Sequence, residues 1–184
     1  MIHPPRQRLI DFATGAADLT ARVMVEAHLA YCGVCAARVG ELYEQLPALP
    51  SEGLAAPGPD LFDRLWSRAQ RTRAAELPED LGVIPAAALA ELGPVGAPRW
   101  KWNLWPERTR YALLTRDPNT GARLYLAHYP KDSAFPMHAH VGVEENVILA
   151  GGYQNGEIHN DVGDWVLGVP GTAHEPRTLP DEEC

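Results

Sequence analysis

The chain has 184 residues, 46% of them hydrophobic and 22% charged, with a formal net charge of −8. That length holds one large domain or two small ones, and no run approaches the roughly 18–20 consecutive apolar residues of a membrane helix. Residues 76–184 carry eight basic and sixteen acidic side chains, whereas residues 1–75 balance eight against eight, so neither half has the positive excess that a phosphate backbone demands.

The opening residues, Met1-Ile2-His3-Pro4-Pro5, lack the basic and apolar regions of a secretory signal, which points to a cytoplasmic protein. The three cysteines are too few for a disulfide framework. The Cys32/Cys35 pair forms a CxxC, and in a reducing compartment that spacing suggests metal or redox chemistry.

Residues 1–75 read as a four-helix module. Arg6–Ala13 is a short helix stopped by Gly15. From Ala17 to Tyr31 the apolar positions Leu19, Val23, Ala27 and Ala30 recur at helical spacing, with Asp18 as candidate N-cap. A third helix is expected over Val34–Leu46. Residues 47–59 hold four prolines and two glycines and read as a connection. The fourth helix follows Asp60, with an apolar stripe of Leu61, Phe62, Leu65 and Trp66 and a basic face of Arg64, Arg68, Arg71 and Arg73. That stripe either completes the helical core or embraces a partner as a helix in a groove.

Residues 76–98 read as a linker with a short helix around Pro85–Leu92. In 99–184 the pattern changes to short strands: Arg110–Thr115, Arg123–Tyr129, Glu145–Leu149 and Asp164–Val169, bounded by glycine- and proline-containing turns. The fold class is therefore α+β and multidomain, a helical module followed by an antiparallel β sandwich or barrel.

Two constellations carry chemistry. His28, Cys32 and Cys35 form an HxxxCxxC. His28 and Cys32 lie one helical turn apart, and Gly33 lets Cys35 swing back toward them. Such a set suits tetrahedral zinc, and His3, the other histidine of residues 1–75, is the candidate fourth ligand. The plainer alternatives are that both cysteines are small buried hydrophobes and that His3 is solvated. In the second constellation His138 and His140 alternate on a strand, so both rings face one side. Glu144 follows a bend at Gly142, and His174 opens a strand after the Pro170-Gly171 turn. Three imidazoles and a carboxylate make a site for zinc or another divalent transition metal. His128 reads as a strand residue and His159 as a turn residue.

HxH-x3-E-x6-G followed by PG-xx-H resembles the two cupin motifs, with departures. Pro170 abuts Gly171, six residues separate Gly163 from Pro170, and Thr178 stands where the motif has asparagine. With the HxxxCxxC and its upstream His, the chain resembles the ChrR family of zinc-binding anti-sigma factors. That resemblance implies a helical module that clamps an ECF-type sigma factor one to one. It also implies a cupin domain that senses photooxidative stress, such as singlet oxygen or hydroperoxides, and triggers release, with no enzymatic role. It assigns zinc to His3, His28, Cys32 and Cys35, and the cupin metal to His138, His140, Glu144 and His174. The chain ends at Cys184, ten residues after His174, where family members continue through further strands, so an incomplete barrel is expected. Cys184 reads either as a redox-reactive thiol or as an inert one. The rival class is a cupin dioxygenase with a structural zinc module.

Overall fold

The structure is a computed structural model and describes residues 1–47, 60, 63–64, 81–93, 97–102 and 109–184. Four helices are described: α1 (Arg6–Ala13), α2 (Leu19–Leu29), α3 (Gly33–Gln45) and α4 (Ala86–Leu92). Local chemistry sets their ends. Gly15 adopts φ +74°, the left-handed conformation that ends a helix at low cost. Asp18 caps α2 by accepting a hydrogen bond from the Ala21 N–H at 2.8 Å. The Cys32 sulfur sits at the N-cap of α3 and accepts from the Cys35 N–H at 3.4 Å. Of the helix expected after residue 60, only Asp60, Asp63 and Arg64 are described, and Leu61, Phe62, Leu65 and Trp66 lie outside the described residues.

Every strand pairing among the described residues of the second half is antiparallel. The strands are β1 (Lys101–Trp102), β2 (Arg110–Arg116), β3 (Arg123–His128), β4 (His138–Ala139), β5 (Glu144–Val147), β6 (Gly152–Asn155), β7 (Ile158–Asp161), β8 (Trp165–Gly168), β9 (Ala173–His174) and β10 (Arg177–Thr178). They pair as β1-β2-β3, β10-β6-β7, β4-β9 and β5-β8. The described residues thus form cupin-like antiparallel sheets without a closed barrel. The four strands expected at residues 110–115, 123–129, 145–149 and 164–169 are present as β2, β3, β5 and β8. The hairpin β6–β7 was not anticipated, and it corrects the reading of His159 from turn to strand: the residue pairs with Gln154 across the hairpin. Its Asn155-Gly156 turn is a hairpin signal, but the flanking runs Gly152–Asn155 and Ile158–Asp161 are too polar to register as alternating strands.

The two halves share their cores. Helix α2 is buried on two sides. One side joins Leu9, Phe12, Cys35, Val39 and, from β8, Trp165. The other side packs Val23 and Ala27 against Leu81, Ile84, Ala88 and the β3 residue Leu124. Within the stretch read as a linker, Leu81 and Ala88 are fully buried. A forked ion pair reinforces the contact: Arg8 donates to both carboxylate oxygens of Glu145, at 3.0 and 2.6 Å.

The β2–β3 turn adds a second cap to α2. Asp117 is buried and accepts from the backbone N–H groups of Leu19, Asn119 and Thr120. These bonds, that from Thr120 foremost, hold its carboxyl down to about 2, below its ordinary 3.8. A carboxyl lowered on folding stabilises the fold above its unfolded value and ceases to do so as pH falls through the folded one. Asp117→Asn is expected to lower the thermal midpoint at neutral pH by a few degrees and to flatten the acid loss of stability between about pH 4 and 2, as read from unfolding curves across that range. A pH profile unchanged by the substitution would refute this role.

Candidate metal centres

The first cluster forms where three helical segments meet. Ligand atoms of His3, His28, Cys32 and Cys35 lie within 4.8 Å of one another. The His3 Nδ1 stands 3.4 Å from each sulfur. His28 and Cys35 are fully buried, and Cys32 nearly so. The backbone brings Cys32 under His28, since the Cys32 N–H donates to the His28 carbonyl at 3.0 Å.

The tautomer of His28 follows from its partner. Its Nδ1 lies 2.7 Å from the Gly163 carbonyl, which can only accept, so the proton sits on Nδ1 and Nε2 presents a lone pair. That Nε2 is buried and has no hydrogen-bond partner among the described residues. Burial lowers the His28 pKa, partly opposed by the Gly163 bond, which keeps the ring neutral as a ligand must be. Burial likewise pushes the Cys35 thiol up to about 11, with the adjacent Cys32 adding to the effect. An orphaned nitrogen beside two sulfurs and a second imidazole fits a thiophilic cation, since the donors are two N and two S.

The second cluster brings His138, His140 and His174 together, again within 4.8 Å. The strand pairing does this directly, because His138 is the cross-strand partner of His174. Their Nε2 atoms face each other at 2.9 Å, so a proton or a cation must lie between the two lone pairs. Around the ring of donors, His138 Nδ1 donates to the Pro136 carbonyl at 3.0 Å, His140 Nδ1 meets Thr172 Oγ1 at 2.8 Å and His174 Nδ1 meets the Asn155 side chain at 3.1 Å. The buried His140 Nε2 has no hydrogen-bond partner among the described residues. Burial foremost, then the neighbouring imidazoles, lowers the His174 pKa. Glu144 stands at the edge of this group: its carboxylate is half exposed and 4.0 Å from His140 Nε2, and its other oxygen accepts from the Asn146 side chain. The three imidazoles fit a divalent transition metal.

Two glycines shape these sites: Gly168, which sequence reasoning missed, and Gly163, which it named only as a motif glycine. A Cβ at Gly168 would fall 2.5 Å from the His140 ring, so only glycine leaves the imidazole its seat. Gly163, at φ +88°, lets its turn approach the corner between α2 and α3; a Cβ there would lie 2.7 Å from that of Tyr31. A cleft of about 410 Å³ runs between Ile2 and the β6–β8 strands, bordered by His3 of the first cluster and by Asn155, the partner of His174. Cys184 is tied to Tyr129 by two backbone bonds at 2.7 and 2.9 Å. Burial pushes its thiol up to about 11, which keeps it protonated and poorly nucleophilic at neutral pH.

The chain thus combines a helical His/Cys cluster with a cupin-like three-imidazole cluster, each arranged so that it could hold a metal ion. Residues 95–184 match the family of ChrR cupin-like domains. The anti-sigma-E factor ChrR of Cereibacter sphaeroides is 26% identical over 186 residues, which span 96% of this chain and 83% of that protein. The crystal structure of Rhodobacter sphaeroides SigE in complex with the anti-sigma ChrR matches with a TM-score of 0.67 and 21% identity. That match covers 100% of this chain and 95% of the other, and it is a likeness of fold. No helix among the described residues is long and apolar enough to cross a membrane.

Proposed function

We propose that this chain is an anti-sigma factor that holds an ECF-type sigma factor in a one-to-one complex and releases it when the C-terminal cluster meets an oxidant such as singlet oxygen or a hydroperoxide. The observation that carries the reading is the union of both clusters in one chain that aligns over 96% of its length with an anti-sigma factor. The role is one of binding rather than catalysis, in the cytoplasm, without direct contact to nucleic acid.

In this reading His3, His28, Cys32 and Cys35 would hold zinc, which would cross-link the lead-in to α1, the end of α2 and the start of α3. His138, His140 and His174, with Glu144 at 4.0 Å from His140, hold zinc or another divalent metal. The apolar stripe Leu61, Phe62, Leu65 and Trp66 is the proposed partner face. Release is transmitted through residues 76–98, whose described part packs between α2 and β3.

Co-expression with a candidate ECF sigma factor tests this. A stable one-to-one complex with two metal equivalents per chain is expected. His138→Ala combined with His140→Ala should leave the complex intact and abolish its dissociation by singlet oxygen. Dissociation at the unchanged rate would refute the sensing role. No complex, together with iron in the second cluster, would replace this reading with a cupin dioxygenase.

A further inference from the structure

The turn that leads into β8 reaches two ligands of the first cluster by different routes. Gly163 gives its carbonyl to His28 Nδ1 at 2.7 Å. The next residue, Asp164, accepts a hydrogen bond from the Ile2 backbone N–H. The residue after that, Trp165, donates its own N–H to the Ile2 carbonyl at 3.0 Å. Ile2 is therefore gripped on both sides of its backbone, immediately before His3.

This grip addresses a specific problem. His3 is exposed and is followed by Pro4 and Pro5, which have no N–H to anchor the chain. Asp164, in contrast, is 3% exposed and cannot turn away. Its second oxygen accepts from the Asp161 N–H at 2.8 Å, and its own N–H donates to the Asp161 carbonyl at 2.9 Å. A rigid carboxylate in the C-terminal half thus fixes the backbone that presents His3 Nδ1 to both sulfurs.

We propose that Asp164 is a positioning residue for the first metal centre: by holding Ile2 it delivers His3 to Cys32 and Cys35, so the cupin-like half sets the metal affinity of the helical half. Outer partners that orient a ligand are worth about 10–100-fold in metal affinity. The inference rests on the metal reading of the first cluster, and cobalt(II) separates the two. A cobalt–thiolate bond gives a near-ultraviolet charge-transfer band that the all-imidazole cluster lacks, and the ligand-field bands report the fourth donor.

The test is a cobalt(II) titration of the full-length chain and its variants. Asp164→Ala is expected to weaken binding at the thiolate site by about 10–100-fold and to shift the ligand-field bands as His3→Ala does. Added to His3→Ala, it should cost nothing further, because its route runs through His3. Asp164→Asn keeps the side-chain volume and carries the same cycle if the alanine variant loses its helical signal, with an expected loss near tenfold. Wild-type affinity and spectrum in the Asp164 variants, or a loss that persists undiminished on the His3→Ala background, would overturn the proposal. A wild-type chain without the thiolate band would overturn the metal reading and this inference with it.

Discussion

Cys35→Ser is expected to remove one metal equivalent and to destabilise α1–α3 together. The side chain is fully buried, within a core cluster that includes Leu9, Phe12, Val25 and Val39, so the site lies inside the packing rather than on its surface. A ligand that binds only the folded state stabilises it by about 4 kcal/mol at a thousand times its Kd, and structural zinc in small modules contributes roughly 10 kcal/mol or more. Thermal unfolding with and without a chelator reads the effect. The chelator should lower the wild-type midpoint by more than that of Cys35→Ser, the difference being the contribution of the first cluster, and should bring the two chains close together. An equal shift in both would show that the stabilising metal sits elsewhere.

Trp165→Ala is the second large expected effect. Trp165 is 1% exposed, and although it belongs to β8 it fills the cluster formed by α1, α2 and α3. Its ring meets His28 edge-on at 6.1 Å between centroids. Truncating a buried aromatic of this size costs about 3–5 kcal/mol in lost transfer energy and cavity. Because the cavity opens between the halves, amide exchange should rise in α1–α3 as well as in β5 and β8. Trp165→Phe is expected to cost less, since the indole N–H has no hydrogen-bond partner among the described residues and the ring face is largely kept. Exchange confined to the β strands of the mutant would contradict a shared core.

Both expectations depend on the C-terminal half being a structural part of the first centre. The Gly163 carbonyl fixes the tautomer of His28, Asp164 holds the backbone beside His3, and Trp165 packs edge-on against His28. Strand β8 then runs on to Gly168, which seats His140 of the second cluster. A four-residue strand therefore spans from the surroundings of one centre to the surroundings of the other.

The sequence by itself determined what depends on neighbours along the chain. Gly15 ends α1 because only a left-handed residue closes that turn cheaply, and Asp18 caps α2 because its oxygen reaches the N–H three residues on. His28, Cys32 and Cys35 converge through helical spacing and one turn, and His138 and His140 share a face through the two-residue period of a strand. The strands β2, β3, β5 and β8 were legible for the same reason. The tertiary structure alone decided the rest. The insertion of Trp165 among the helices, the bond from His28 to Gly163, the hold of Asp164 on Ile2 and the seat that Gly168 gives His140 join residues between 28 and 162 positions apart. Glu144 likewise took its place at the margin of the second cluster through the pairing of β5 with β8. Such contacts leave no periodic trace in either segment, because they are set by where two independently formed elements dock. The chain spells its His and Cys clusters locally, whereas the residues that orient them are settled only when the halves pack.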